Sequence, residues 1–110
     1  MRSTLLMLLA LFSATATVAA AADLQEITLH IKNHQFVPAQ LAVPAKVKFK
    51  LIVVNDDPTP EEFESKEMKV EKVIPGKSKG VVRIGPLAPG RYPFFGEFNE
   101  ATAKGTVIAE

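Results

Sequence analysis

Asn55-Asp56-Asp57-Pro58-Thr59-Pro60-Glu61-Glu62-Phe63-Glu64-Ser65-Lys66-Glu67-Met68 is the stretch on whose reading the fold turns. It sets six carboxylates (Asp56, Asp57, Glu61, Glu62, Glu64, Glu67) against the single Lys66. Like charges at this density repel, and a small domain keeps them only where water or a cation neutralises them. Two backbone readings compete. Thr59-Pro60-Glu61-Glu62 fits a helix start, with Thr as N-cap, Pro at the first helical position and Glu at the third. Phe63, Glu67 and Val70 would then share a face, but a stripe with so few apolar residues is thin for a buried helix. The alternative is a strand, which projects Glu62 and Glu64 from one face and Glu61 and Phe63 from the other.

The flanking sequence favours strands. From Gln25 the chain alternates, with Ile27, Leu29 and Ile31 on one side and Thr28, His30 and Lys32 on the other; period two over this length marks a half-buried strand. His30 falls on the polar side and reads as a solvated imidazole. Leu41 and Val43 suggest a short edge strand ending at Pro44. Lys46 to Val54 is the clearest strand, with Val47, Phe49, Leu51 and Val53 facing one way. Ile52 and Val54 add apolar residues to its other face, which predicts burial on both sides. Further extended segments follow at Val70–Ile74, Val81–Ile84, Tyr92–Phe95 and Gly105–Ala109. Turns intervene at Pro75-Gly76-Lys77-Ser78, where Gly supplies the permissive residue, and at Gly85-Pro86-Leu87-Ala88-Pro89-Gly90. Short strands punctuated by Gly and Pro predict an all-β, antiparallel sandwich in one domain.

The chain opens with Arg2 and the apolar run Leu5 to Phe12, too short to span a bilayer, followed by the small residues Ala20-Ala21-Ala22. This is the pattern of a cleavable signal peptide over residues 1–22, leaving 23–110 as the exported domain. Arg2 apart, acidic and basic residues balance, and no basic surplus points to nucleic acid. With the acidic stretch so negative, positive charge gathers elsewhere, largely on Lys46, Lys48, Lys50, Lys72, Lys77 and Lys79. The absence of Cys removes disulfides, thiolate ligation and thiol redox chemistry.

His34-Gln35-Phe36-Val37-Pro38-Ala39, Val43-Pro44-Ala45, the acidic stretch, Glu71-Lys72-Val73-Ile74-Pro75-Gly76 and Gly90-Arg91-Tyr92-Pro93-Phe94-Phe95-Gly96-Glu97-Phe98 together resemble a cupredoxin-like domain. More narrowly, the chain is similar to the small periplasmic cupredoxins of bacterial iron-uptake systems, the FtrB type, and to the cupredoxin-like part of EfeO. The resemblance covers nearly all of 23–110. It implies a Greek-key sandwich of seven to eight strands with a strand, not a long helix, at Glu61–Glu64. Blue-copper members carry His, Cys, His and Met, which fall here on Glu61, Gly96, Asn99 and Ala103. A type 1 copper needs the thiolate, so the resemblance implies either a site rebuilt with other ligands or a lost one. In EfeO-like domains a Glu-x-Glu pair implicated in ferric binding corresponds to Glu62 and Glu64. Glu61, Glu97 and Glu100 are further carboxylate candidates, and His34 is either an imidazole ligand or a structural histidine. Met68 reads as packing, and Tyr92, Phe94, Phe95 and Phe98 as core and rim residues drying one end of the site.

Carboxylates are hard donors suited to iron, and acceptable to cupric copper beside a His. The leading expectation is a non-catalytic periplasmic protein that binds iron, or copper linked to iron, and passes it to a membrane permease. The alternative is a metal-free interaction module docking through its acidic surface to a partner of the uptake complex. An enzyme is disfavoured, since no set of nucleophile, base and orienting group is present. A homodimer sharing carboxylates across its interface is compatible with the sequence.

Overall fold

Glu61–Ser65 is a strand in which Glu61, Phe63 and Ser65 are buried and Glu62 and Glu64 only half so. Burial at every second residue is the period of a strand, and the helix reading fails on it. The computed structural model describes residues 10–14 and 24–110. The targeting segment expected over 1–22 lies, apart from 10–14, outside the described residues.

The described chain forms nine strands: β1 Gln25–Lys32, β2 Gln35–Val37, β3 Gln40–Val43, β4 Phe49–Asn55, β5 Glu61–Ser65, β6 Val70–Ile74, β7 Ser78–Ile84, β8 Gly90–Gly96 and β9 Lys104–Ala109. They build a two-sheet sandwich, ordered β2-β1-β4-β7 in one sheet and β3-β9-β8-β5-β6 in the other. The sandwich is as expected, but with nine strands rather than seven to eight, and it is not purely antiparallel. β1 pairs with β4 and β3 with β9 in parallel. The extra strand arises at Asn33-His34, where both residues take positive φ (53° and 56°) and so make a two-residue hairpin turn that returns the chain as β2. The chain then visits the other sheet as β3 before coming back beside β1, which makes that pairing parallel.

Leu29, Ile31, Leu51 and Val53 from one sheet meet Phe63, Phe94 and Val107 from the other, all essentially inaccessible. Phe36, Phe63 and Phe94 cluster with ring centroids 5.0 to 6.0 Å apart, and each such pair adds about 0.5–1.5 kcal/mol to the burial of its rings. Phe63 stands between Glu62 and Glu64, so its anchorage inside fixes both carboxylates outside. Met68 is buried, as packing requires, whereas Phe98 is half exposed. Tyr92 is also partly exposed, its hydroxyl donating to the Ala88 carbonyl at 2.7 Å.

Three local readings change. β4 starts at Phe49, not Lys46: Lys46 takes a positive φ of 64° and Val47 is exposed. Ile52 and Val54 are half-buried, not covered, because the sandwich has two layers and none of the described residues lies over this sheet's outer face. In the turn after β6 the positive φ belongs to Lys77. Gly76 is there for room, since the Pro58 carbonyl lies where its Cβ would be.

Two members of the acidic stretch are structural. Asn55, inaccessible, donates its amide to the Thr59 and Ile74 carbonyls (2.8 and 3.1 Å) and accepts from the Asp57 N–H at 3.1 Å. Asp57 in turn accepts from the amides of Asn33 and His34 at 2.8 and 2.9 Å. These bonds, the His34 amide foremost, hold its carboxyl below the usual carboxylate range. Asp56 pairs with the Nδ1 of His30 at 2.8 Å, so His30 is a hydrogen-bond partner and not simply solvated.

Candidate metal centre

β5 lies between β6 and β8. Its register sets Glu64 opposite Glu71 on one side and Phe95 on the other, and Phe63 opposite Gly96. Immediately beyond Gly96 the chain makes a single 3-10 turn, Glu97–Asn99. On the outer face of this sheet, Glu62, Glu64 and Glu97 converge, each offering a carboxylate oxygen within 4.8 Å of the others. Glu62 and Glu64 are half-buried and Glu97 is exposed, which leaves the trio open on one side.

The electrostatics are those of crowded acids. Glu64 Oε2 is shielded from solvent and has no hydrogen-bond partner. Side-chain hydrogen bonding with Glu97, which favours the protonated form, then desolvation and the charges of Glu97, Glu71 and Glu62, push the Glu64 carboxyl up to about 7. Glu62 is raised as well, by desolvation first and then by Glu97 and Glu71. Three oxygen donors on one side, with the other side open to water or a chelator, match the preferences of hard cations. Glu71 was not foreseen as a neighbour; only the β5–β6 register brings it there, and no sequence spacing encodes that register.

The other candidates lie elsewhere. Glu61 is 1 % exposed and points to the opposite side of β5. Its Oε1 accepts from the Phe98 N–H at 2.9 Å and the Glu62 N–H at 3.0 Å, and its Oε2 from the Asn99 side-chain amide at 2.5 Å. His34 sits at the β1–β2 turn with its Nδ1 3.7 Å from Asp57 Oδ2, and its carbonyl accepts from the Thr102 hydroxyl at 2.6 Å. These contacts tie two loops together and keep the imidazole apart from the trio. Glu100 is exposed on a neighbouring open groove lined with Lys66, Phe95 and Lys104. The structure thus brings together Glu62, Glu64 and Glu97, and does not bring Glu61, His34 or Glu100 to them.

Inside the sheet, the positions that the resemblance equates with copper ligands do meet. Glu61 holds Asn99, and the Gly96 N–H donates to the Ala103 carbonyl at 2.9 Å. A Cβ placed on Gly96 would lie 2.6 Å from Glu61 Cδ and 2.7 Å from Ala103 Cβ. The space between them is filled by the Glu61 carboxylate.

This two-sheet β-sandwich is the architecture of the cupredoxin-like domains. The chain belongs to that family: the Cupredoxin-like domain model matches residues 4–109. It is 41% identical over 87 residues to an uncharacterized protein of Rickettsia prowazekii (strain Madrid E), covering 78% of this chain and 69% of that one. Among solved structures, it is similar to auracyanin A, a blue copper protein of Chloroflexus aurantiacus (TM-score 0.70, 11% identity, 80% of this chain and 100% of that chain). It is also similar to the metal-binding domain of the Cu(I)-exporting P-type ATPase CopA of Streptococcus pneumoniae D39, solved with Cu(I) (TM-score 0.67, 19% identity, 84% and 91%). At such identities the likeness is one of fold.

Proposed function

We propose that this protein is a non-catalytic metal carrier of the periplasm that holds iron at Glu62, Glu64 and Glu97 and passes it to a membrane permease of an uptake system. The observation that carries this reading is the convergence of the three carboxylates around the shielded, unpartnered Glu64 oxygen. Deprotonated, they repel; a multivalent cation converts that repulsion into attraction. An all-oxygen donor set favours ferric iron, with cupric copper as the second candidate. The similar folds that hold copper support a metal role for this domain, but a type 1 copper does not form here. The chain has no thiolate, and the Glu61 carboxylate takes the interior space. The exposed Glu97 suits release, because an incoming ligand from a partner can displace an open carboxylate first.

Calorimetric titration with ferric nitrilotriacetate and with cupric ion, on the wild type and on Glu62→Gln/Glu64→Gln, tests the reading. One ferric ion per chain is expected, with affinity falling at least ~100-fold in the double variant, beyond what loss of an outer-shell contact costs. Saturation at half an ion per chain would indicate carboxylates shared across a homodimer. Absence of binding in both proteins overturns the carrier reading and leaves the acidic face, Glu71 included, as a docking surface for a basic partner.

A further inference from the structure

Glu61 precedes Glu62 directly, yet its carboxylate lies inside the sandwich while that of Glu62 lies outside. No Lys or Arg pairs with it among the described residues. Only N–H donors compensate it, namely the amides of Phe98 and Glu62 and the side chain of Asn99. A carboxylate this deep is costly to keep without a cation, so what it holds is informative. The Phe98 N–H belongs to the peptide unit that begins at the Glu97 carbonyl. Fixing that peptide plane fixes ψ of Glu97, and Asn99 fixes the far end of the same turn. Gly96 makes this grip feasible, because any Cβ there would collide with the carboxylate.

We infer that Glu61 is a positioning residue: from inside the sandwich it clamps the 97–99 turn to β5 and thereby holds Glu97 beside Glu62 and Glu64 on the outside. One strand then performs two tasks, with alternate residues gripping the turn from within and offering metal ligands without. The Glu61 carboxylate is a hydrogen-bonded cross-link on the inside that shapes a site on the other side of the sheet. This inference rests on the carrier reading for its affinity consequence, but not for the clamp itself.

The test uses Glu61→Gln, Glu61→Ala and Glu97→Gln, each titrated with ferric nitrilotriacetate, together with amide hydrogen exchange at Phe98 and 15N order parameters at Glu97. In Glu61→Gln the side-chain carbonyl still accepts the Phe98 N–H, and Asn99 can turn its oxygen toward the new amide. Affinity is therefore expected to stay within about threefold of the wild type, and Phe98 to remain protected. Glu61→Ala is expected to lose roughly tenfold in affinity, the scale of a lost outer-shell support, along with Phe98 protection and order at Glu97. Combining it with Glu97→Gln should cost nothing beyond Glu97→Gln alone, since both act through the same carboxylate. A Gln variant as weak as the Ala variant, or additive losses in the double variant, would overturn the inference, because Glu61 would then act as a charge or a ligand. So would unchanged Phe98 protection and Glu97 order in Glu61→Ala. Should that variant not fold, Asn99→Leu removes the other half of the grip, and it is expected to lose affinity and order at Glu97 while the Phe98 N–H stays bound to Glu61. If the wild type binds no ferric ion, the carrier reading falls, while the exchange and order measurements still decide the clamp.

Discussion

At Glu64 the protein opposes ionisation of one of its own surface carboxyls, and the sign of the consequence follows directly. Its carboxyl is raised from 4.5 to about 7 in the folded state, so the native protein binds that proton more tightly than the unfolded chain. The stabilisation it lends is fully present below about pH 4.5 and is lost as pH rises through about 7. Asp57 works the other way. Its carboxyl is lowered from 3.8, so its contribution is present above that value and disappears as pH falls further. Denaturant titrations of the metal-free protein should therefore show stability declining between pH 4.5 and 7. Glu64→Gln should flatten that decline and make the metal-free protein the more stable of the two at pH 8.

Elements are positioned here by a few buried polar groups as much as by the core. Asn55 ties the loop after β4 to the end of β6 through carbonyls that have no other side-chain donor in the described structure. Asn55→Ala strands those groups and should cost about 2 kcal/mol in chemical denaturation. The loop that leads into β5 then loosens, so metal affinity is expected to fall with it. Gly96 is the corresponding hinge on the other wall. Gly96→Ala forces a methyl group to within 2.6 Å of Glu61 Cδ, a clash of the overpacking kind costing about 1–3 kcal/mol. Both Glu61 and Ala103 must give way, which displaces the grip on the 97–99 turn, so the variant should lose ferric affinity as Glu61→Ala does, read in the same titration.

At the scale of the molecule, the core closes without an ion: among the described residues, eighteen buried apolar side chains form one cluster between the sheets. Chelators should consequently leave the far-ultraviolet circular dichroism unchanged. A bound ion stabilises only by mass action, about 2.7 kcal/mol at 100 times its dissociation constant. For a domain of this size that is a rise in melting temperature on the order of 10 °C, absent in Glu62→Gln/Glu64→Gln. The faces of the sandwich also differ in charge. Glu62, Glu64 and Glu71 lie outside one sheet, and Lys50, Lys79 and Arg83 stand at outward positions of the other. Docking to the transport partner proposed above should then weaken with ionic strength, measurable as a salt-dependent association rate.

The alternation from Gln25 to Lys32, the absence of Cys, and Glu62 and Glu64 set two apart on a strand were legible in the amino acids alone. They are local properties: period two needs no partner to be seen, and a missing thiol is missing in any fold. Which carboxylate joins that pair was not local. Glu97 and Glu100 are both candidates along the chain, and the pairing of Phe63 with Gly96 brings the first to the cluster while the second faces the neighbouring groove. A strand already set Glu61 on the face of Phe63 and Glu62 on the opposite one, but that the inward carboxylate accepts the Phe98 N–H and the Asn99 amide was decided only by the turn packed against β5. Side-chain chemistry is written in the sequence; which side chains meet is settled by strand register and by the face each strand buries.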